Sequence, residues 1–538
     1  MRTLIKNGLI YDGSGSSPYR KNLLIEEDKI AAITESQDIG ADEIIDAAGL
    51  TVTPGFIDTH RHCDIDALYN PDFGTIEMAQ GLTTVIGGNC GLAPIPAPEI
   101  YRKEIFDFIE PCLGIAPEQM KMEHFYEYIR ALEGKNLPIH VGSYIGTGTL
   151  KAGIKGYGKT SFTKEEMEQA KSYIQEGMEA GAAGLSMGIM YQPECYSSRE
   201  EMTELISASA PYGRPLTCHI RGEGDNLISS VKEMIEIAKE AEVPLNISHF
   251  KATGVKNWGT TIDTAIDLIE NARHKGQDVT VDFYPYCGGS TTLLSLIPPS
   301  VMEDSLGLTL KKLSTDRGKE TLKKELYQEH PGWDNMVMAI GWERILLSSV
   351  TKEGNRLFTG RNFKEAAILA GYEEPGEFMC DLLVEEQGKV GIIVLSMSQE
   401  DVDKVANLPY SMVISDSLYG VSDCPHPRLY GSFPKIIREY VRERQVLTME
   451  EAIKKMTLLP AKRLSMEKRG MLQEGYYADI NLFDAENLRD YAVYENPKQL
   501  CTGFQAVMLD GKIAVSKDAV ISRNYGSVIK IERMRSIT

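Results

Sequence analysis

Between its two ends the chain alternates short runs of β-branched and aliphatic residues with longer stretches of helical period. The β-rich runs are residues 52–57, 82–87, 139–145, 183–189, 215–220, 245–250, 279–284 and 412–415. Gaps between them repeat apolar residues at helical spacing: Met167, Ala170, Ile174 and Met178; then Leu227, Val231 and Ile235; then Ile262, Ala265 or Ile266, and Ile269. Residues three and four apart share one helix face. Strands alternating with helices imply parallel pairing. Eight such units imply an α/β fold of the closed TIM-like (β/α)8 kind, with its site at the C-terminal ends of the strands. The alternative is an open doubly wound sheet, but no Gly-x-Gly-x-x-Gly follows the first run.

The ends read differently. Residues 3–11 and 22–33 are β-like around Asp12-Gly13-Ser14-Gly15, and so are 470–483 and 504–515, with Asp510-Gly511 as a hairpin signal. Neither end has enough strands to stand alone. Together they predict one small β-sandwich built from both termini, 1–53 with 468–538, around a barrel spanning 54–467; two independent flaps are the other arrangement. After the seventh run the chain continues from 285 to 410, far beyond a normal crossover. Pro298-Pro299, a charged helical stretch over 311–327 and a segment at 333–347 mark an inserted subdomain over about 286–348. It either covers the barrel mouth or takes no part in catalysis.

The length of 538 residues suits such a barrel with attachments, and 42% hydrophobic with 25% charged residues is ordinary for a globular protein. No stretch approaches 18 uninterrupted apolar residues, and Met1 to Gly8 has no apolar signal core. No membrane span and a cytoplasmic location are therefore expected. Acidic residues outnumber basic ones 77 to 57, a net charge of -20. That field repels phosphate backbones and argues against a nucleic-acid partner, while a local Arg or Lys still suits a small anionic substrate. Nine cysteines, with no Cys-x-x-Cys, point to reduced thiols and no disulfide framework.

The strongest local signal is Pro54-Gly55-Phe56-Ile57-Asp58-Thr59-His60-Arg61-His62. His60 and His62 are two apart at a strand end, so both rings fall on one face and can grip a metal. His219 and His249 end two further runs, and Asp416 follows the last. Each alone is more often a satisfied polar residue, but four histidines at the same end of several strands favour metal. A carboxylate beside them can ligate it or exchange protons with water.

Taken with their spacing, these residues resemble the amidohydrolase superfamily, and within it the D-aminoacylases, or N-acyl-D-amino-acid deacylases. The resemblance spans nearly the whole chain. It rests on Gln80-Gly81-Leu82-Thr83-Thr84-Val85, Gly88-Asn89-Cys90-Gly91, Gly184-Leu185-Ser186, Tyr191, His249-Phe250-Lys251, Tyr284-Pro285-Tyr286, His426-Pro427-Arg428 and Tyr430-Gly431-Ser432-Phe433. It implies Zn2+, with Cys90, His219 and His249 holding one tight ion, and His60, His62 and Asp416 framing a second, weaker position. For Cys90 taken alone, the bland alternative is a small buried hydrophobe. It also implies Asp416 as the proton carrier, and Lys251, Tyr284 and Arg428 as anchors of a substrate carboxylate. Tyr191 has two readings, an oxyanion partner or a core tyrosine; Met190 is placed on the side-chain pocket. Glu223 either orients His219 or is exposed, and His426 either ligates or shapes its loop. The implied activity is amide hydrolysis of an N-acyl-D-amino acid. Cyclic-amide opening of dihydroorotase or hydantoinase type is the alternative, and a non-catalytic scaffold is a third. The chain departs from the resembled pattern at Arg61, Cys63, Met187 and Ser417.

Overall fold

The computed structural model describes residues 1–36 and 39–532; the last residues of the expected C-terminal segment, 533–538, lie outside them. The chain is α/β. Its centre is a run of parallel strands: β1 (Phe56–Asp58), β2 (Leu82–Gly87), β3 (His140–Ser143), β4 (Leu185–Gly188), β5 (Leu216–His219), β6 (Leu245–Ile247), β7 (Val279–Phe283) and β8 (Ser411–Val413). β1, β2 and β3 pair in that order, and a second sheet runs from Ile145–Gly146 through β4, β5, β6 and β7 to β8. β1 and β8 approach at their C-terminal ends, where Asp416 N–H donates to His60 C=O (2.9 Å), His62 N–H donates to Ser417 C=O (3.0 Å) and Arg61 bridges Ser417.

The helical periodicities describe real faces. In the helix Lys164–Glu179, Met167, Ala170, Ile174 and Met178 are buried, and Thr163 caps it by accepting from Glu166 N–H. Leu227 and Val231 are buried in Leu227–Glu240, but Met234 takes the inward position and Ile235 is only half-buried. These faces pack with the parallel strands in one large core.

Among the boundaries that differ from expectation, two bear on the site. The run 52–57 is not one strand. Thr51–Pro54 pairs with Ile480–Phe483, whereas Phe56 already pairs with Leu82. Gly55 makes the transfer possible, because a Cβ there would sit 2.3 Å from the Thr83 side chain. The run 245–250 stops at Ile247, so His249 stands on a loop instead of a strand.

Strands from both termini do interleave. One sheet is Ala519–Val520, Lys512–Ser516, Phe504–Leu509, Ile480–Phe483, Thr51–Pro54, Leu9–Ile10 and Tyr19–Arg20; a second is Lys29–Thr34, Asn22–Glu26, Arg2–Lys6 and Glu43–Asp46. Residues of both sheets, among them Ile5, Leu23, Val52, Ile480 and Met508, share one apolar core. After β7, Gly289–Thr292, Gly391–Val394 and Ile345–Ser349 form an antiparallel sheet with a separate core. That core runs from Leu293 to Val394, so the inserted unit extends past the residue-348 end expected for it. The charged stretch 311–327 is broken in two, Leu306–Leu313 and Asp316–Glu325, where Thr315 caps the second helix. Among the described residues no helix is long and apolar enough to cross a membrane.

Candidate active site

Gly88-Asn89-Cys90-Gly91 leaves β2 as a tight loop. Gly88, Cys90 and Gly91 all have positive φ (73°, 54° and 70°). At Gly91 a Cβ would sit 2.3 Å from Glu194 Oε2, so only glycine fits. Asn89 donates its amide to Ile86 C=O (2.9 Å) and Arg61 C=O (3.3 Å). The Ser186 hydroxyl accepts from Gly91 N–H (3.1 Å) and donates to Gly88 C=O. The loop is thus pinned between β1 and β4 with the Cys90 thiol buried at its tip. His249 and Asp416 also carry positive φ, 38° and 51°. Non-glycine residues rarely adopt this conformation, and three of them meet here.

Their side chains converge. Cys90 Sγ lies 3.2 Å from His60 Nε2 and 3.6 Å from His249 Nε2. Asp416 Oδ1 is 3.3 Å from both His60 Nε2 and His62 Nε2. Two donor groups result, His60–His62–Cys90–Asp416 and Cys90–His219–His249, each with ligand atoms within 4.8 Å of one another, and Cys90 belongs to both. The six residues singled out in the sequence for metal are all brought together.

The electrostatics suit a cation. Burial pushes His62 down to about 4 and His219 to about 3, so both rings are neutral and keep a free lone pair. His60 is shifted up instead, because Asp416 and Asp282 outweigh its burial. Burial, reinforced by Asp416, pushes the Cys90 thiol well above its ordinary range, so its proton leaves only for another cation. Nδ1 of His60, His62 and His219 is buried without a hydrogen-bond partner among the described residues. Burial would raise Asp416, but Arg428, followed by His60, holds it well below the usual carboxylate range.

A cavity opens on this cluster. Arg428 Nη1 lies 2.8 Å from Asp416 Oδ2, and its guanidinium stacks 4.7 Å from the centre of the Tyr284 ring. Arg428 Nε has no acceptor among the described residues. Lys251 Nζ faces Glu223 Oε1 at 2.6 Å and His249 Nδ1 at 2.7 Å. Met190 Sδ lies 3.2 Å from His219 Nε2, and the Tyr191 hydroxyl meets Thr291 Oγ1 at 3.1 Å. All five expected substrate contacts line the cavity.

Glu223 bonds His249 rather than His219, although its charge also acts on the His219 ring. Its Oε1 is 2.9 Å from His249 Nδ1, where it can take that ring's proton and leave Nε2 toward Cys90. His426 shapes its loop: Nδ1 accepts Arg428 N–H (3.0 Å), and Nε2 is 2.8 Å from Gly288 C=O. Arg61 points away from the donors, into Asp58 (3.3 Å) and Glu77 (3.1 Å), and Cys63 and Met187 are core residues. Asp282 escaped the sequence. It is buried, accepts from the His249 backbone N–H and from Asn246 (2.6 Å), and lies 3.9 Å from His60 Nδ1. Its one signal is a carboxylate in the middle of an apolar strand.

A model of the amidohydrolase family matches residues 43–107 and 414–515, which include β1, β2 and the Asp416–Arg428 loop. D-aminoacylase from Alcaligenes xylosoxydans xylosoxydans is 30% identical over 98% of this chain and 97% of its own length. N-acyl-D-glutamate deacylase from the same organism is 28% identical over 98% and 96%. Among solved structures, N-acyl-D-glutamate deacylase from Bordetella bronchiseptica, complexed with zinc and a phosphonate mimic of the tetrahedral intermediate, superposes with a TM-score of 0.82 at 28% identity. That match covers 98% of this chain and 99% of the other. The chain belongs to the D-aminoacylase family of the amidohydrolases.

Proposed function

We propose that the protein is a zinc-dependent hydrolase of N-acyl-D-amino acids, releasing a carboxylate and a free D-amino acid. The observation that carries this is a pair of buried donor groups sharing Cys90 beside a cavity that holds Arg428, Lys251 and Tyr284. We infer that β1 to β8 close into a (β/α)8 barrel over 54–467 and that the terminal sheets form one sandwich. Nine unpaired cysteines fit a reducing, cytoplasmic setting.

Cys90, His219 and His249 would hold the principal zinc, and His60, His62 and Asp416 a second, weaker one. A thiolate with imidazoles is a good zinc donor set. Zinc, when bound, supplies Lewis acidity toward water and toward the acyl carbonyl. Asp416 takes a proton from the attacking water and returns it to the departing amine, without which an amide anion would have to leave. Arg428, with its free Nε–H, receives the α-carboxylate, and Lys251 and Tyr284 border the same place. Glu223 holds His249 in one tautomer. Met190 and Tyr191 close the cavity beside His219. Cyclic-amide opening has less support, since the cavity's lysine, Lys251, is engaged by Glu223.

The test is release of free amine from paired N-acetyl-D- and N-acetyl-L-amino acids by the zinc-loaded protein. Turnover confined to D-isomers is expected. Hydrolysis of dihydroorotate or a hydantoin, with none of N-acetyl-D-amino acids, would overturn the proposal.

A further inference from the structure

Arg428 is placed by a loop. The chain between Asp416 and Arg428 has no helix or strand, and Arg428 opens the helix Arg428–Lys435. A cation at that end opposes the helix dipole, so the helix does not favour its charge. Its backbone is held by His426 instead. That ring is buried and neutral, since burial and then Arg428 push it well below its ordinary range. Nδ1 accepts Arg428 N–H (3.0 Å), so the ring's proton is on Nε2, which donates to Gly288 C=O (2.8 Å). The Tyr494 hydroxyl oxygen lies 3.2 Å from the same Nε2 and takes the second branch of that N–H. Tyr494 also meets the imidazole edge-on, 5.1 Å between ring centres.

Tyr494 comes from the terminal sheet. Ile480–Phe483 and Phe504–Leu509 are paired antiparallel neighbours there, which about two to five residues would suffice to join. The chain spends 484–503 on the connection. This strap folds on itself: Arg489 and Thr502 exchange two backbone bonds (2.9 and 3.0 Å), and Val493 pairs with Asn496. It is then fastened to the stretch that carries Arg428. Arg438 Nε–H donates to Asp490 Oδ1 at 2.5 Å, and the Cys501 thiol donates to Tyr430 C=O at 3.1 Å. Tyr494 itself does not line the cavity.

We infer, resting on the deacylase reading above, that Tyr494 is a positioning residue for the substrate carboxylate: through His426 it fixes the backbone at Arg428, and so the guanidinium that receives the carboxylate. The guanidinium's own restraints are few, Asp416 beside Nη1 and Ser290 C=O accepting from Nη2 at 3.3 Å, with Nε unused. A planar fork must meet a carboxylate in one geometry, so a small shift of its backbone weakens binding. The terminal β strands thereby take part in substrate binding without touching substrate.

The experiment compares Tyr494→Phe, which removes only the hydroxyl, with the parent, both zinc-loaded. The ligands are the N-acetyl-D-amino acid that the parent turns over best and its carboxamide, with affinities by calorimetry where turnover is too slow. KM for the acid should rise roughly three- to tenfold, the worth of one neutral hydrogen bond, with kcat, zinc content and urea midpoint near the parent's. The amide, which brings no charge to Arg428, should respond little. In an Arg428→Met background, Tyr494→Phe should no longer alter the acid-to-amide ratio. An equal change for acid and amide, the same change without Arg428, or no change at all would make Tyr494 a prop of the loop and overturn the inference, while the deacylase reading stands. Failure of the parent on every N-acetyl-D-amino acid would sink that reading, and this inference with it.

Discussion

Cys90 is the one side chain common to both donor groups, and the loop that carries it spends three positive-φ residues to hold it. Cys90→Ala should therefore lose zinc from both positions, while His62→Ala should spare the Cys90–His219–His249 group. Zinc content by atomic emission, with circular dichroism to show that the fold survives, reads this directly. Full zinc content in the cysteine variant would remove the thiol from the metal centre. Asp416→Asn keeps shape and loses basicity. Turnover should fall by roughly 10²–10⁴-fold, the usual worth of a positioned acid–base group, with the Cys90 zinc retained. Activity within a few-fold of the parent would exclude Asp416 as the proton carrier. The histidines and Asp416 were legible because they end or follow runs that periodicity locates, and Cys90 because Gly88-Asn89-Cys90-Gly91 resembles a family motif. Asp282 and the true partner of Glu223 were not, since their contacts join chain segments that no local pattern connects.

Glu194 shows how an element can be tuned behind the site. It follows β4 in a short 3-10 turn, fully buried, and accepts from Gly188 N–H at 2.8 Å. The Thr147 hydroxyl lies within reach of both Glu194 Oε1 and Ser186 C=O, yet has one proton to give. A protonated Glu194 resolves this by donating to Thr147 Oγ1. Burial indeed pushes its pKa up to about 7. The folded state then keeps a proton that the unfolded chain releases near its ordinary value of about 4.5. Stability contributed below that value is lost as pH rises toward and through 7, on the order of 3 kcal/mol in all. Glu194→Gln should match the parent near pH 5 and exceed its melting temperature near pH 8.5. Parallel pH profiles would mean that Glu194 is ionised throughout. Such placement was invisible in sequence, because Thr147 and Glu194 lie 47 residues apart and meet only in the fold. Element boundaries failed for a similar reason. The 52–57 run reads as one strand although it belongs to two sheets in succession, and the inserted unit was cut short because its last strand, Gly391–Val394, returns to pair with its first.

At the scale of the whole molecule, the segments that follow β1 and β8 are joined by backbone hydrogen bonds, and His60, His62 and Asp416 hang from that junction. Arg61, fully buried between His60 and His62, fastens it. Its guanidinium reaches Asp58 Oδ2 (3.3 Å) on β1, Ser415 Oγ (3.2 Å) beyond β8, Glu77 Oε1 (3.1 Å) and the Tyr419 hydroxyl (2.7 Å). In sequence Arg61 stood out only as a departure from the resembled pattern, not as a buried hub joining the end of β1 to the segment beyond β8. Removing one partner of a buried charge network leaves the others uncompensated, which costs about 3–5 kcal/mol, whereas replacing all members with apolar groups can be nearly neutral. Arg61→Leu would strand Glu77 and Asp58 together in the interior. We expect a marked drop in the urea midpoint and, because Asp416 and His62 hang from the same backbone bonds, weaker zinc retention at the His60–His62–Cys90–Asp416 group than at Cys90–His219–His249. Adding Glu77→Leu to that variant should recover part of the midpoint, since one stranded carboxylate is then gone. If Arg61→Leu unfolds at the parent's midpoint and keeps both metals, the junction is held by its backbone hydrogen bonds and apolar packing, and the arginine is a passenger.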